Sequence, residues 1–465
     1  MYKERFKSIL LVFLIMTNFV LGSKILTDKK LWPDGYNFFY NSGISKLYAN
    51  IVNYFSDNDH NKSLAFTPDK IIINTGDQTT RISLNSSNDE FYDLYAEAEK
   101  LLKSAFSDQQ DNISTVSVEE LYSALSSGSV YLDYSTNHSI KLFCDYFGIK
   151  AQLPEAFSGT FSGIVISHSP RTSVYISDID NGAYYRINLS KNTETFVSLC
   201  KACTKKYSQK ARPVINYSFD LKFDQPFGSQ KTTLNPLIQI YSTSTPYNTI
   251  QSKNPLFNED LSANELIVNE ILKVFEINPN TMRRYTEAGG TLVFVENDGI
   301  LKIHTNGFLE YEATASGLRI SKDNTKYFDI SNALSMVADI NEVSGFDGLV
   351  RLSECPDENT LNFDYVIEGM SVKITDKNID CGIKIVTEDG FIKSYKQLIR
   401  DYSVTEHKVS PTEFFTALDN TIAKYSDSMN KIRIDKMYIC YSDNGTVGEK
   451  RADWTVDVNN IIVGE

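Results

Sequence analysis

Histidine and cysteine, the side chains that most often carry nucleophilic or metal chemistry, are scarce here: five and six in 465 residues. None of His60, His138, His168, His304 and His407 stands in an HExxH pair or beside a cysteine, so no zinc site is written locally. Cys144, Cys200, Cys203, Cys355, Cys381 and Cys440 lack the regular spacing of a disulfide framework. Blocks of five like charges are also missing. The 59 acidic and 46 basic residues give a net charge of -13, which argues against nucleic acid or an anionic lipid surface as the main partner.

Catalytic motifs are missing too. Gly159 to Gly163 reads GTFSG, with its serine one place late for a nucleophile elbow. Gly228 to Thr232, GSQKT, is too short for a phosphate loop. Asp178-Ile179-Asp180-Asn181-Gly182 has its glycine one position early for a calcium loop and no closing glutamate, so it reads as an Asn-Gly hairpin turn. Cys200-Lys201-Ala202-Cys203 is a CxxC, but TETFVSLCKACTKK puts Phe196, Cys200, Cys203 and Tyr207 on one side of a helix, which predicts buried thiols. No catalytic residue, metal ligand or cofactor is expected.

What is present begins with an apolar run, Ser8 to Gly22. A spanning helix needs about 20 residues. Counting on through Ile25 and Leu26, with Lys24 snorkelling, gives about 28 Å. Two readings stand: an uncleaved anchor over 8–26, or a signal peptide cut after Gly22. Asn18 within the run and the resumed apolar register favour the anchor. Lys3, Arg5 and Lys7 on one side match Lys24, Lys29 and Lys30 on the other, so charge leaves the orientation open. Leu10, Leu11, Leu14, Thr17, Asn18 and Leu21 form one stripe at helical spacing, a candidate face for partner helices. The alternative for Asn18 is hydration near the outer interface. LWPDGYNFFY (Leu31 to Tyr40) follows as a stiff joint leading into the first core residues.

The body reads as α+β, with antiparallel sheets each covered by helices. Ser87 to Glu90 and Ser117 to Glu120 have the capping-box pattern, as does Ser410-Pro411-Thr412-Glu413 with proline at the first helical position. The last of these precedes a helix with Phe414, Phe415, Leu418 and Ile422 on one face. Asp298-Gly299, Asn306-Gly307 and Asp389-Gly390 mark hairpins that need positive φ. VENDGILKI and VTEDGFIKS share one turn, a weak internal repeat. The expected division is a tail (1–7), an anchor (8–26), and α+β domains at 27–208, 209–345 and 346–465.

The anchor running into KLWPDGYNFF, SVEELYSALSSGSVYLDY, TLVFVENDGILKIHTNGFLEY, NFDYVIEG with IKIVTEDGFIKSY, and the terminal ADWTV together resemble the YycH (WalH) family of Firmicutes. The resemblance implies a single-pass membrane protein whose bulk is extracytoplasmic and whose last two domains are alike. It further implies an inhibitory complex with a WalK (YycG)-like sensor histidine kinase of cell-wall homeostasis and with a YycI-like regulator, made largely through transmembrane helices, without catalysis. The alternative is a secreted or anchored cell-envelope binding protein or enzyme of unknown substrate.

Overall fold

The computed structural model describes residues 66–460, apart from 77–79, 108–112, 147–158, 169–170, 179–181, 190–192, 208–212, 230, 320–325, 357–358 and 427–430. The chain divides into two units, Met1–Ser63 and Leu64–Glu465, and the described residues all belong to the second. The anchor, its stripe and LWPDGYNFFY lie outside them.

The first layer grows from short β-branched runs. β1 (Lys70–Thr75), β2 (Arg81–Leu84), β3 (Ile113–Val116), β4 (Gly128–Ser139), β5 (Thr160–Ser167), β6 (Ser173–Asp178) and β7 (Ala183–Asn188) form a seven-stranded sheet. Its order is β2-β1-β4-β5-β6-β7-β3, antiparallel throughout. Strand side chains alternate between faces, so Ile71 and Ile73 enter one core and Ile72 another. α1 (Asp89–Ser107), α3 (Ile140–Tyr146) and α4 (Glu194–Tyr207) contribute to the first core, where Phe91, Leu94 and Phe196 meet Ile71, Leu132 and Ile164. α2 (Val118–Ser126) covers the other face through Leu121, Ala124 and Leu125. Each fully buried side chain of this size contributes about 1.5–3 kcal/mol. Burial of both faces explains the unbroken triple isoleucine. The α4 face is the expected one, with Phe196, Cys200, Cys203 and Tyr207 buried.

Two capping boxes start helices at the expected places but do not close. Ser117 caps α2 without a side-chain bond, and Glu120 instead accepts from Arg186 (2.5 Å). Glu90 pairs with Lys206 and accepts from the Tyr207 hydroxyl (2.7 Å), linking α1 to α4. Ser87 donates to Asn85 rather than to its helix. In each case a tertiary partner takes the glutamate expected at the helix start.

The second half begins with β8 (Ile215–Tyr217), β9 (Thr233–Leu234), β10 (Gln239–Tyr241) and β11 (Tyr247–Lys253). α5 (Glu265–Val274) and the edge strand β12 (Arg283–Thr286) lead into the meander β13 (Leu292–Val295), β14 (Gly299–Ile303) and β15 (Phe308–Ala313). β16 (Leu318–Arg319), α6 (Lys326–Ser344), β17 (Leu349–Glu354), β18 (Thr360–Ile367) and β19 (Met370–Ile374) follow. The chain continues through β20 (Ile383–Glu388), β21 (Phe391–Leu398), β22 (Asp401–Val409) and α7 (Phe414–Tyr425). It closes with β23 (Ile432–Asp443), β24 (Gly448–Lys450) and β25 (Ala452–Asn460).

β8 and β10 pair alone, and β22-β11-β24 make a three-stranded sheet. The rest build a 13-stranded sheet along β12-β13-β14-β15-β21-β20-β18-β19-β23-β25, with β16, β17 and β9 attached to its side. All pairs in it are antiparallel except β19 with β23 and β9 with β23. The expected boundary at 345 falls inside this sheet, since β15 pairs with β21. Both repeat hairpins occur, β13–β14 and β20–β21, in that one sheet.

Their turns differ. Asp389 and Gly390 both take positive φ (52° and 77°), as the Asp-Gly hairpin requires. Gly299 does not; a Cβ there would stand 2.3 Å from the Tyr311 ring, so close approach is what demands glycine. The last helix starts at Phe414, later than expected. Thr412 is held outside it by Asp453, and the Trp454 Nε1 donates to the Thr412 carbonyl (2.7 Å). Phe414 and Leu418 are buried, whereas Phe415 is 49% exposed.

Candidate functional site

A cavity of about 80 Å³ opens where the seven-stranded sheet, the β8–β10 pair and the 13-stranded sheet meet. Its first wall is the start of β1, where Asp69-Lys70 precedes the isoleucines. Its second is an irregularity in β4: register passes from Asp133↔Gly163 to His138↔Phe161, so four β4 residues face one of β5. Such bulges re-aim side chains, and here Tyr134 and Ser162 turn to the cavity. Gly163 leaves room for the Tyr131 ring, which would stand 2.4 Å from an added Cβ.

β10 and β23 complete the walls. Gln239 donates to Asp133 Oδ2 (2.6 Å), and the Tyr131 hydroxyl donates to Asp133 Oδ1 (3.2 Å). Lys70 donates to the Tyr241 hydroxyl (3.3 Å), which donates to Gln239 Oε1 (3.3 Å). In β23 the register moves from Ile434↔Val458 to Lys436↔Asp457, which leaves Asp435 as the extra residue of a bulge. A second Asp-Lys pair, Asp435-Lys436, thereby lines the cavity opposite the first. From β17, Arg351 pairs with Asp69 and donates to Ser371 Oγ of β19 (2.7 Å), tying the two large sheets together at the rim.

The electrostatics follow from burial. Burial raises the Asp133 carboxyl above its ordinary value, against the pull of Lys70 and the Gln239 hydrogen bond. Burial pushes Lys436 down to about 8, although Asp457, Asp133, Asp69 and Asp435 all favour its charge. Burial also opposes the charge of Lys70, but Tyr241, Asp133 and Tyr247 together hold it above the ordinary lysine range. The cavity thus gathers Lys70, Lys436 and three carboxylates among tyrosines, with Asp69 paired to Arg351 and Asp435 to Arg433 (2.7 Å).

A second polar cluster differs in being closed. Asp443 is fully buried and accepts from Tyr402 (2.8 Å), Ser252 (3.3 Å) and the Gly445 amide (2.9 Å). Lys450 lies 3.1 Å from it and Arg400 3.7 Å. Arg400 further donates to the carbonyls of Asn306 and Gly445 (both 2.6 Å). Charges paired this densely within the chain mark a structural hub, although Arg400 Nε itself makes no hydrogen bond.

The expected partner face (Leu10, Leu11, Leu14, Thr17, Asn18, Leu21) lies outside the described residues. The six cysteines are free thiols, and all but Cys355 are buried. Strands β6 and β7 pair down to Asp178↔Ala183, as the hairpin reading of Asp178 to Gly182 requires. Among the described residues, no three His, Cys, Asp or Glu side chains are grouped to hold a metal ion. Among them, too, no helix is long and apolar enough to cross a membrane. The cavity itself had no local motif. Its one sequence signal was the recurrence of Asp-Lys at the edge of apolar strands, in PDKIII and IDKMYI.

No known family profile matches the chain, and no curated protein does. Among solved structures, the chain is similar to YycH from Bacillus subtilis at 12% identity and a TM-score of 0.54. The match covers 86% of this chain and 95% of that one. An uncharacterized protein from Eubacterium rectale aligns over 50% of this chain and 83% of its own, at 13% identity and a TM-score of 0.32. The fold is therefore YycH-like.

Proposed function

We propose that the chain is a regulator, not an enzyme, which acts outside the membrane on a WalK (YycG)-like sensor kinase. The observation that carries this reading is the YycH-like fold, shared over 86% of the chain. The order of sequence segments that resemble the YycH family supports it. In this reading residues 8–26 anchor the chain in the cell membrane, with the bulk extracytoplasmic. The stripe of Leu10, Leu11, Leu14, Thr17, Asn18 and Leu21 contacts the kinase and a YycI-like regulator. The parts 27–208, 209–345 and 346–465 form the outer body, the last two coupled through one sheet. An anchor biases a kinase only if it binds one kinase state better than the other.

The test is co-purification from membranes, beside transcript profiling of cell-wall genes in a deletion strain. Asn18→Leu should weaken association with the kinase, because a buried polar contact between helices contributes roughly 0.6–2 kcal/mol. Unchanged association and unchanged signalling would overturn the stripe. Mass spectrometry of the mature amino terminus decides the anchor: a start at Ser23 would favour instead a released envelope binding protein.

A further inference from the structure

The segment from Asp443 to Lys450 joins β23 to β24, and it sets a carboxylate, an amide and an amine side by side. Lys450 is 7% exposed, and its Nζ lies 3.1 Å from Asp443 Oδ1 and 3.3 Å from Asn444 Oδ1. It also donates to the carbonyl (2.6 Å) and hydroxyl (3.3 Å) of Thr446. Asn444 is exposed. Its Oδ1 accepts further from the Thr446 hydroxyl (2.7 Å) and amide (3.4 Å), while its Nδ2 makes no hydrogen bond among the described residues. An ion pair needs only the Lys450–Asp443 contact. Here the lysine nitrogen also touches the oxygen bonded to an amide carbon, with a base beside the nitrogen and a hydroxyl on the oxygen.

We propose that Lys450 and Asn444 join in an intramolecular isopeptide bond, formed by the folded chain on itself. Lys450 passes an ammonium proton to Asp443, which lies within the reach a general base requires. The neutral amine attacks Asn444 Cγ, and the Thr446 hydroxyl donates to the oxygen on which negative charge develops. The Cγ–Nδ2 bond then breaks. Of the three ammonium protons one stays on the new amide, and Asp443 relays the other two to Nδ2, which leaves as ammonium into solvent. One C–N bond forms, one breaks, and nothing is oxidised or reduced. The rival nucleophile is the Gly445 amide, which would close a succinimide. Its N–H is held by Asp443 (2.9 Å) and its carbonyl by Arg400 (2.6 Å), which fixes that peptide against the rotation ring closure needs. Asn306-Gly307 is the contrast: Asn306 Oδ1 accepts from the Phe308 amide (3.0 Å), with no lysine bonded to it among the described residues. The bond would tie the end of β23 to β24, the strand that extends β11. A single turnover within the chain makes no enzyme, and it does not depend on the kinase reading.

The experiment is peptide mass spectrometry of the full chain, purified in detergent and digested with trypsin. The peptide Met437–Arg451 should appear uncut at Lys450 and lighter by about 17 Da, one ammonia. Fragmentation should give no ions from breaks between Asn444 and Lys450, because the ring holds the pieces together. The peptide carrying Asn306 should keep its full mass. Lys450→Arg retains the positive charge but removes the nucleophile, and should abolish the mass loss. Asp443→Asn should abolish it too. Asn444→Ala, at an exposed position, should do the same and decides the matter if a hub variant fails to fold. Recovery of the peptide at full mass and cut at Lys450 would overturn the proposal. So would a succinimide or aspartate at position 444 with Lys450 still cleaved, or a mass loss that persists in Asn444→Ala or Lys450→Arg.

Discussion

His138 offers a measurement in which burial is the largest cause. The side chain is 5% exposed and packs among Phe66, Tyr134 and Phe161, with ring centroids 5.3–6.0 Å away. Burial lowers its pKa from 6.5 to about 3, helped by the positive charges of Lys436 and Arg351 and opposed by Asp69. Above the ordinary value both folded and unfolded chains hold a neutral ring, and His138 adds no pH dependence. As pH falls below 6.5 the unfolded chain takes up a proton that the folded chain refuses, so stability is lost down to about pH 3. At about pH 5 the linkage amounts to about 2 kcal/mol, relative to about pH 7.5. Urea unfolding of the parent and of His138→Phe at these two pH values isolates the effect, because the other titrating groups cancel. The parent should lose about 2 kcal/mol more than the variant between them. Parallel losses would refute the assignment of a buried neutral ring.

Other perturbations test the cavity walls and the last helix. Gly163→Ala should cost about 1–3 kcal/mol, because the new methyl group collides with the Tyr131 ring; unfolding midpoints equal to the parent would show that the ring moves freely. Arg351→Met leaves Asp69 without its guanidinium at a site 14% exposed, and should lower stability by about 3 kcal/mol in urea titration. Phe414→Ala should cost about 3–5 kcal/mol, and Phe415→Ala much less, since only the first ring is buried; equal losses would contradict the orientation of α7.

Elements governed by local physics were legible in the sequence. The α4 face and the two repeat hairpins depend on side-chain period and turn residues, which neighbours in the chain supply. Helix starts were legible as places but not as mechanisms. Glu90 and Glu120 leave their helices for Lys206 and Arg186, partners that no spacing rule announces. β22 carries a weak pattern and owes its existence to β11, a strand far earlier in the chain, whereas β17 pairs with its sequence neighbour β18. The cavity was the least legible feature. Lys70, Asp133, Gln239 and Lys436 meet only after four separate segments pair, and the bulge at Asp435 reverses the alternation a reader would use to place Lys436.

The closing strands carry a consequence for how the molecule is made. β23 supplies the parallel partner of β9, β24 extends β11, and the Tyr441 hydroxyl bonds the Asn248 carbonyl across 193 residues. A chain emerging amino terminus first can therefore complete the seven-stranded sheet early. β9 and one edge each of β11 and β19 must wait, unpaired, until β23 and β24 arrive. A nascent chain stopped just before β23 would expose those edges to aggregation and proteases, so the carboxyl-terminal strands act as the latch that ends synthesis-coupled vulnerability.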